Sequence, residues 1–212
     1  MPRTEPFDHE RERYERWFEM HRAAYLSELL AVRAFLPWRG IGLEIGVGTG
    51  RFAAPLGIRV GVDPSPAMLE VAAARGIETV EGTAEDLPFP EGSFDHVLVV
   101  TTICFVDSPE RMVAEARRVL RPGGRLVVGL VDRLSPLGSD YLDHQEESVF
   151  YRDAVFFSAD EVVDLLAGGG FVVDGSGQTL FRPLSAIDEI EPLLPGTGRG
   201  SFVVITAARA GS

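Results

Sequence analysis

Leu43-Glu44-Ile45-Gly46-Val47-Gly48-Thr49-Gly50-Arg51 is the stretch that decides the fold. Leu43, Glu44 and Ile45 read as the end of a short strand, and the glycines let the chain turn tightly into a helix. Such a strand–turn–helix brings backbone amides and a helix dipole to one point, where a ligand can approach the main chain. The spacing is G-x-G-x-G. In the dinucleotide fingerprint G-x-G-x-x-G the third glycine would stand at position 51, and here that residue is Arg51, which would crowd the packing of helix on strand. Alone, the motif is also compatible with a plain tight turn.

The pattern on either side repeats strand and helix. A strand over 58–62 ends in Val62-Asp63-Pro64-Ser65. An acid at a second strand end can accept both hydroxyls of a ribose; Asp63 can equally cap the helix expected over 66–75, or do both. A short strand at 79–81 follows, then a turn at Pro90-Glu91-Gly92 and an apolar strand over 95–100 that suits the centre of a sheet. An amphipathic helix over 109–120 is stopped by Arg121-Pro122-Gly123-Gly124, and a strand over 125–131 comes next. Ser158 and Glu161 form a capping box for a helix over 158–167, and strands at 171–173 and 202–207 close the pattern. Upstream, 10–35 reads as helix, split near His21. This alternation predicts an α/β fold, a doubly wound, mostly parallel Rossmann-like sheet with helices on both faces. One domain is expected over 1–212, with 1–37 a helical lid, 38–132 the ligand-binding core and 133–212 carrying substrate-side elements. Residues 182–200, rich in proline and glycine, read as a surface insertion.

Composition narrows the function. Hydrophobic residues make up 45% and charged ones 25% of the 212 residues, the balance of a globular enzyme. A net charge of -12 opposes approach to phosphate backbones, so nucleic acid is not the expected partner. All 20 basic residues are arginine; without lysine, Schiff-base and P-loop chemistry are excluded. A single cysteine, Cys104, rules out an internal disulfide and a cysteine-rich metal site, and no metal is expected. No apolar run is long enough for a membrane helix, and the charged N-terminus lacks the apolar core of a signal peptide. The expected location is the cytoplasm, as monomer or homodimer.

Four motifs stand in order: LEIGVGTGRFA at 43–53, GVDPSPAMLEVA at 61–72, GTAEDLPFPEGSFDHVLVV at 82–100 and ARRVLRPGGRLVVG at 116–129. Together they resemble the class I S-adenosylmethionine-dependent methyltransferases, in particular the type 11 group that includes quinone-biosynthesis C-methyltransferases. The resemblance implies the seven-strand architecture of that family and S-adenosylmethionine as cofactor. It implies that Glu44, Gly46, Gly48 and Gly50 border the methionine half. It assigns Asp63, with Pro64 beside it, to the ribose, Met68 to the adenine face, the Ala84 amide to an adenine nitrogen, and Val100 or Thr101 to the methionine ammonium. The family often has Asp where this chain has Thr83, which leaves Thr83 or Glu85 to meet the adenine amine. After the fourth strand the chain reads Val100-Thr101-Thr102-Ile103-Cys104-Phe105 and has no asparagine. It therefore lacks the Asn/Asp-Pro-Pro-aromatic motif of base N-methylation, a proline-preceded nucleophilic cysteine, and the three cysteines that radical chemistry needs.

In-line methyl transfer to a small molecule remains, and it needs a general base only if the acceptor must lose a proton. His21, Asp132 and Tyr151 are the candidates, with Asp132 best placed because it follows a strand end; His144 ranks below them. Tyr14, Trp17, Phe18, His21 and Tyr25 share one helical face. We expect Tyr14 to donate to the cofactor carboxylate and Trp17 to wall the acceptor pocket, in a lid that can be removed without unfolding the sheet. A nicotinamide-dependent oxidoreductase and a non-catalytic cofactor-binding regulatory module are the alternatives.

Overall fold

The computed structural model describes residues 4–211. Eight strands form one sheet: β1 (Gly42–Ile45), β2 (Val60–Asp63), β3 (Glu78–Glu81), β4 (Phe94–Val100), β5 (Leu120–Val131), β6 (Phe171–Thr179), β7 (Leu194–Pro195) and β8 (Phe202–Arg209), in the order β3-β2-β1-β4-β5-β8-β6-β7. β1 to β5 are parallel; β8 runs antiparallel to both β5 and β6, and β7 antiparallel to β6. Strand order reverses between β1 and β4, and in open α/β sheets the ligand crevice lies at the carboxyl ends beside such a reversal.

The helices are α1 (Glu5–His9), α2 (Arg11–Met20), α3 (Arg22–Phe35), α4 (Ala53–Leu56), α5 (Pro66–Ala74), α6 (Pro109–Val119), α7 (Pro136–Asp143) and α8 (Ala159–Gly168). The break at His21 and the Ser158–Glu161 capping box stand where the sequence puts them. Alternate residues of β4 serve opposite layers, as a strand's period of two requires. Val97 and Val99 pack with Met112, Val113, Val162 and Leu166 of α6 and α8. Leu98 and Val100 pack with Phe18, Ala24, Val32, Ala53 and Leu69 from α2 to α5.

Three expectations change. The sheet has eight strands, not seven, because Leu194 and Pro195 pair with Gln178 and Gly177. The segment 182–200 lies largely at the surface, as expected, and is tied down: the Glu191 amide donates to Ser27 Oγ at 2.9 Å, and its carboxylate accepts from Arg182 Nε at 2.7 Å and from the Phe181 amide. Second, β5 starts at Leu120, which pairs with Phe94 before a register shift; the Pro122-Gly123 turn is absorbed as an irregularity within the strand. Third, α2 and α3 are not a detachable cover, since Phe18 and Ala24 are buried in the sheet's own core. Helix α7 was missed although Ser135-Pro136 is a start signal: Ser135 Oγ accepts the Gly138 amide at 3.0 Å and Pro136 occupies the first turn.

Candidate active site

A cavity of about 720 Å³ opens at the carboxyl ends of the parallel strands, a volume typical of small-molecule sites. Its floor runs from Gly82 after β3, through Asp63 at the end of β2 and Gly46 and Gly48 after β1, to Val100, Thr101 and Val131 at the ends of β4 and β5. Tyr14 and Trp17 of α2, Glu28 of α3, Tyr141 of α7, and Phe150 and Tyr151 form the opposite wall.

The three glycines of the turn do different jobs. A Cβ at Gly50 would lie 2.4 Å from Ile77 Cδ1 and one at Gly46 2.3 Å from Thr102, so these two allow close packing. Gly50 does not line the cavity, whereas Gly46 does. Gly48, with φ +51, faces the cavity, and its missing Cβ would stand 3.3 Å from the Tyr14 hydroxyl. The Gly48 and Ser65 amides both donate to Asp63, each at 2.9 Å. Asp63 is not the helix cap: Ser65 is, its Oγ accepting the Met68 amide at 3.2 Å. Burial raises the Asp63 carboxyl above its ordinary range despite the two amides. Glu44 is only 2% exposed; burial pushes its carboxyl well up, the Ala53 amide donates to it, and its Oε2 has no partner among the described residues. It stands behind the glycine turn and does not line the cavity.

Pro64, Met68, Thr83, Ala84 and Glu85 line the β2–β3 end. Glu85 is partly committed elsewhere, since its Oε1 accepts the Asp107 and Ser108 amides at 2.7 and 3.2 Å. Thr101 sits at φ +49, and its amide donates to the Gly129 carbonyl at 2.8 Å.

The N-terminal helices are fastened to this end. Glu15 of α2 accepts from Arg75 at 2.6 and 3.2 Å and from Arg51, and Arg75 also donates to the Thr49 carbonyl. Burial pushes the Glu15 carboxyl up, but the hydrogen bonds from Arg75 and Arg51 outweigh it and hold it at about 2. Tyr25 donates to the Arg51 carbonyl at 2.5 Å. Arg51, which the dinucleotide pattern excludes, is therefore part of a latch.

The other end is aromatic. Tyr151 stacks between Phe105 (5.7 Å) and Tyr141 (5.0 Å), and Phe150 meets Phe7 and Tyr14. Burial raises the Tyr151 hydroxyl far above its ordinary value, which makes it a donor and not a base at neutral pH. Two of the expected bases lie outside the cavity. Asp132 is 5% exposed and its carboxylate is occupied by the Leu134 and Ala159 amides at 2.9 and 3.3 Å; following a strand end, it ties the start of α8. His21 occupies the break between α2 and α3 and packs on Trp17 at 5.2 Å. His144 reaches the rim, exposed, with its Nδ1 2.9 Å from the Asp140 carbonyl. The residue that sequence reasoning missed is Glu28. It is 5% exposed and lines the cavity. It also occupies the buried stripe Ala24, Ser27, Glu28, Ala31, Val32 of α3. An acid at a core position of an amphipathic helix is the signal that would have found it.

The sheet order, the glycine turn and the acid after β2 define an enzyme of the S-adenosylmethionine-binding class, and comparison with known proteins makes the assignment specific. The family described as "Methyltransferase domain" matches residues 43–128. A methyltransferase from Thermotoga maritima, described as S-adenosylmethionine-dependent and a possible histamine N-methyltransferase, is 53% identical. That match covers 97% of this chain and 99% of the other, with a TM-score of 0.95. An uncharacterised protein of Methanocaldococcus jannaschii is 42% identical over 96% of this chain and 98% of its own. A demethylmenaquinone methyltransferase of Tropheryma whipplei is 44% identical across 41% of this chain and 39% of its own length. The chain belongs to the class I, type 11 S-adenosylmethionine-dependent methyltransferases. It is an enzyme with S-adenosylmethionine as its cofactor, and the nicotinamide and non-catalytic alternatives fall away. No helix among the described residues is long and apolar enough to cross a membrane.

Proposed function

We propose that this protein methylates a small-molecule acceptor in the cytoplasm by in-line displacement, as one domain whose helices α1 to α3 roof the site. The observation that carries this reading is one cavity with a main-chain cradle at one end and an aromatic chamber at the other. The cradle fits the cofactor. Gly48 leaves open space that a side chain would fill, and Gly46 opens on the same cavity. In this reading Tyr14 donates to the methionine carboxylate, while Gly46, Gly48, Val100 and Thr101 surround the amino-acid end. Asp63 accepts the ribose hydroxyls; each of its oxygens already takes one amide but retains a lone pair. Pro64, Met68, Thr83 and Ala84 enclose the adenine. When bound, S-adenosylmethionine supplies a sulfonium methyl to which the acceptor's lone pair bonds as the carbon–sulfur bond breaks, its electrons staying on sulfur. The chain's own work is to align the acceptor and exclude water, which Trp17, Tyr141 and Tyr151 do as walls.

Incubating the enzyme with a metabolite extract and methyl-labelled cofactor, followed by mass spectrometry, tests this. A labelled small molecule and stoichiometric S-adenosylhomocysteine are expected. Label appearing only in nucleic acid or protein would overturn it. The description of the Thermotoga relative makes histamine the first pure acceptor to assay.

A further inference from the structure

The aromatic chamber contains one acid with no assigned purpose. Glu28 projects from α3 into the cavity with 5% exposure, and it has neither a hydrogen bond nor an ion pair among the described residues. Buried carboxyls are normally paired or coordinated, because an isolated one is costly. Unlike Glu44, which sits behind the turn, or Asp132, which holds two amides, Glu28 has no structural task; it faces the space a ligand fills.

We propose that Glu28 is the acceptor-recognition group of this enzyme and that it selects an acceptor with a basic nitrogen on a small apolar or aromatic body. The inference rests on the methyl-transfer reading above and names the substrate class of the same cavity. A carboxylate supplies the counter-charge for an ammonium, and the rings of Tyr141, Tyr151 and Trp17 that line the cavity supply apolar contacts for the body that carries it. Asp140 and Glu147 also line the cavity, Asp140 paired with His144 at 3.4 Å. The other groups titrating near Glu28, Tyr141 and Tyr151, are themselves pushed up by burial and stay neutral.

Proton bookkeeping follows from burial, which pushes the Glu28 carboxyl to about 8. At neutral pH it therefore carries a proton, and an entering ammonium displaces that proton to solvent. Before transfer, the nitrogen returns one proton to the Glu28 carboxylate and exposes its lone pair. The nitrogen–carbon bond then forms as the sulfur–carbon bond breaks with its electrons left on sulfur, and the methylated ammonium departs from a Glu28 protonated as at the start. The net release is one proton per turnover, and the charges balance.

The test is calorimetry on the full chain saturated with S-adenosylhomocysteine. The probes are histamine, 2-phenylethylamine and the neutral 2-phenylethanol, titrated at pH 7 in buffers of different ionisation enthalpy. At least one amine is expected to bind roughly tenfold or more tightly than the alcohol, releasing close to one proton. Glu28→Gln, equal in size, should abolish both the preference and the release while leaving S-adenosylhomocysteine affinity unchanged. Equal binding of alcohol and amines, no amine binding, or an amine preference that survives in Glu28→Gln would overturn the proposal. The wild-type proton count decides the matter even if the variant fails to fold. Failure of the wild type to bind S-adenosylhomocysteine would instead strike the methyl-transfer reading beneath it.

Discussion

At the β1–β2 end the cavity wall is largely main chain: the glycine turn, the amides of Gly48 and Ser65, and one carboxylate that organises them. At the α3–α7 end it is side chain: Tyr141, Tyr151, Phe150, Trp17 and the buried acid Glu28. Main-chain geometry is fixed by a few residues of defined type at defined spacing, so the first end suits a cofactor common to a family. A wall of side chains can be rebuilt by single substitutions, so the second end suits what differs between relatives. Electrostatics divide in the same way. Glu15 at the first end is held ionised by two arginines, whereas Glu28 at the second is held neutral by burial alone.

Substitutions can break this contrast. Gly48→Val carries the largest expected effect. It forces a β-branched residue to φ +51 and places side-chain carbons in the cradle. S-adenosylhomocysteine binding should vanish from calorimetry while circular dichroism stays native. Retained binding would mean that the cofactor does not lie on the turn.

Glu28→Gln tests the other end through stability. The carboxyl rises from 4.5 to about 8 on folding, so its favourable contribution is complete below pH 4.5 and is lost as pH rises through about 8. The variant should match wild type near pH 4 and exceed it near pH 9, by on the order of 5 kcal/mol. Thermal melts at both pH values check this, and a constant offset would mean that Glu28 is ionised or paired throughout.

Asp63→Ala should weaken S-adenosylhomocysteine binding by roughly 1–3 kcal/mol without lowering helix content, because Ser65 keeps the cap of α5. Unchanged affinity would leave Asp63 as an organiser of the turn only. Glu15→Gln carries the smallest effect. Its carboxyl is lowered from 4.5 to about 2, so its contribution is present above pH 4.5 and is lost as pH falls through about 2. The group is about one-fifth exposed, and screening limits the expected loss at pH 7 to about 1 kcal/mol. Urea melts should show the gap closing below pH 4.5; a gap that persists at pH 2 would rule out the ionic latch.

The same contrast explains what could be read before the structure. The glycine turn, Asp63 and the strand–helix alternation obey local spacing rules, so the sheet and its ligand crevice were legible. The acceptor wall depends on which helices meet, and spacing carries little of that. Asp132 follows a strand end, as a catalytic acid would, yet its carboxylate is consumed by the Leu134 and Ala159 amides. His21 shares a face with Tyr14 and Trp17 but falls at a helix break outside the cavity. Glu28 was hidden in a helix that reads as ordinary packing, and only the packing of α3 and α7 about the cavity gives it a role. β7 escaped because two residues have no periodicity to detect.

The most direct measurement is a crystal structure of the protein with S-adenosylhomocysteine. The account predicts the adenine between Met68 and Ala84, the ribose on Asp63, and the sulfur directed toward the chamber of Tyr141, Tyr151 and Glu28. A nucleoside seated in the aromatic chamber, or a sulfur turned to solvent, would contradict it.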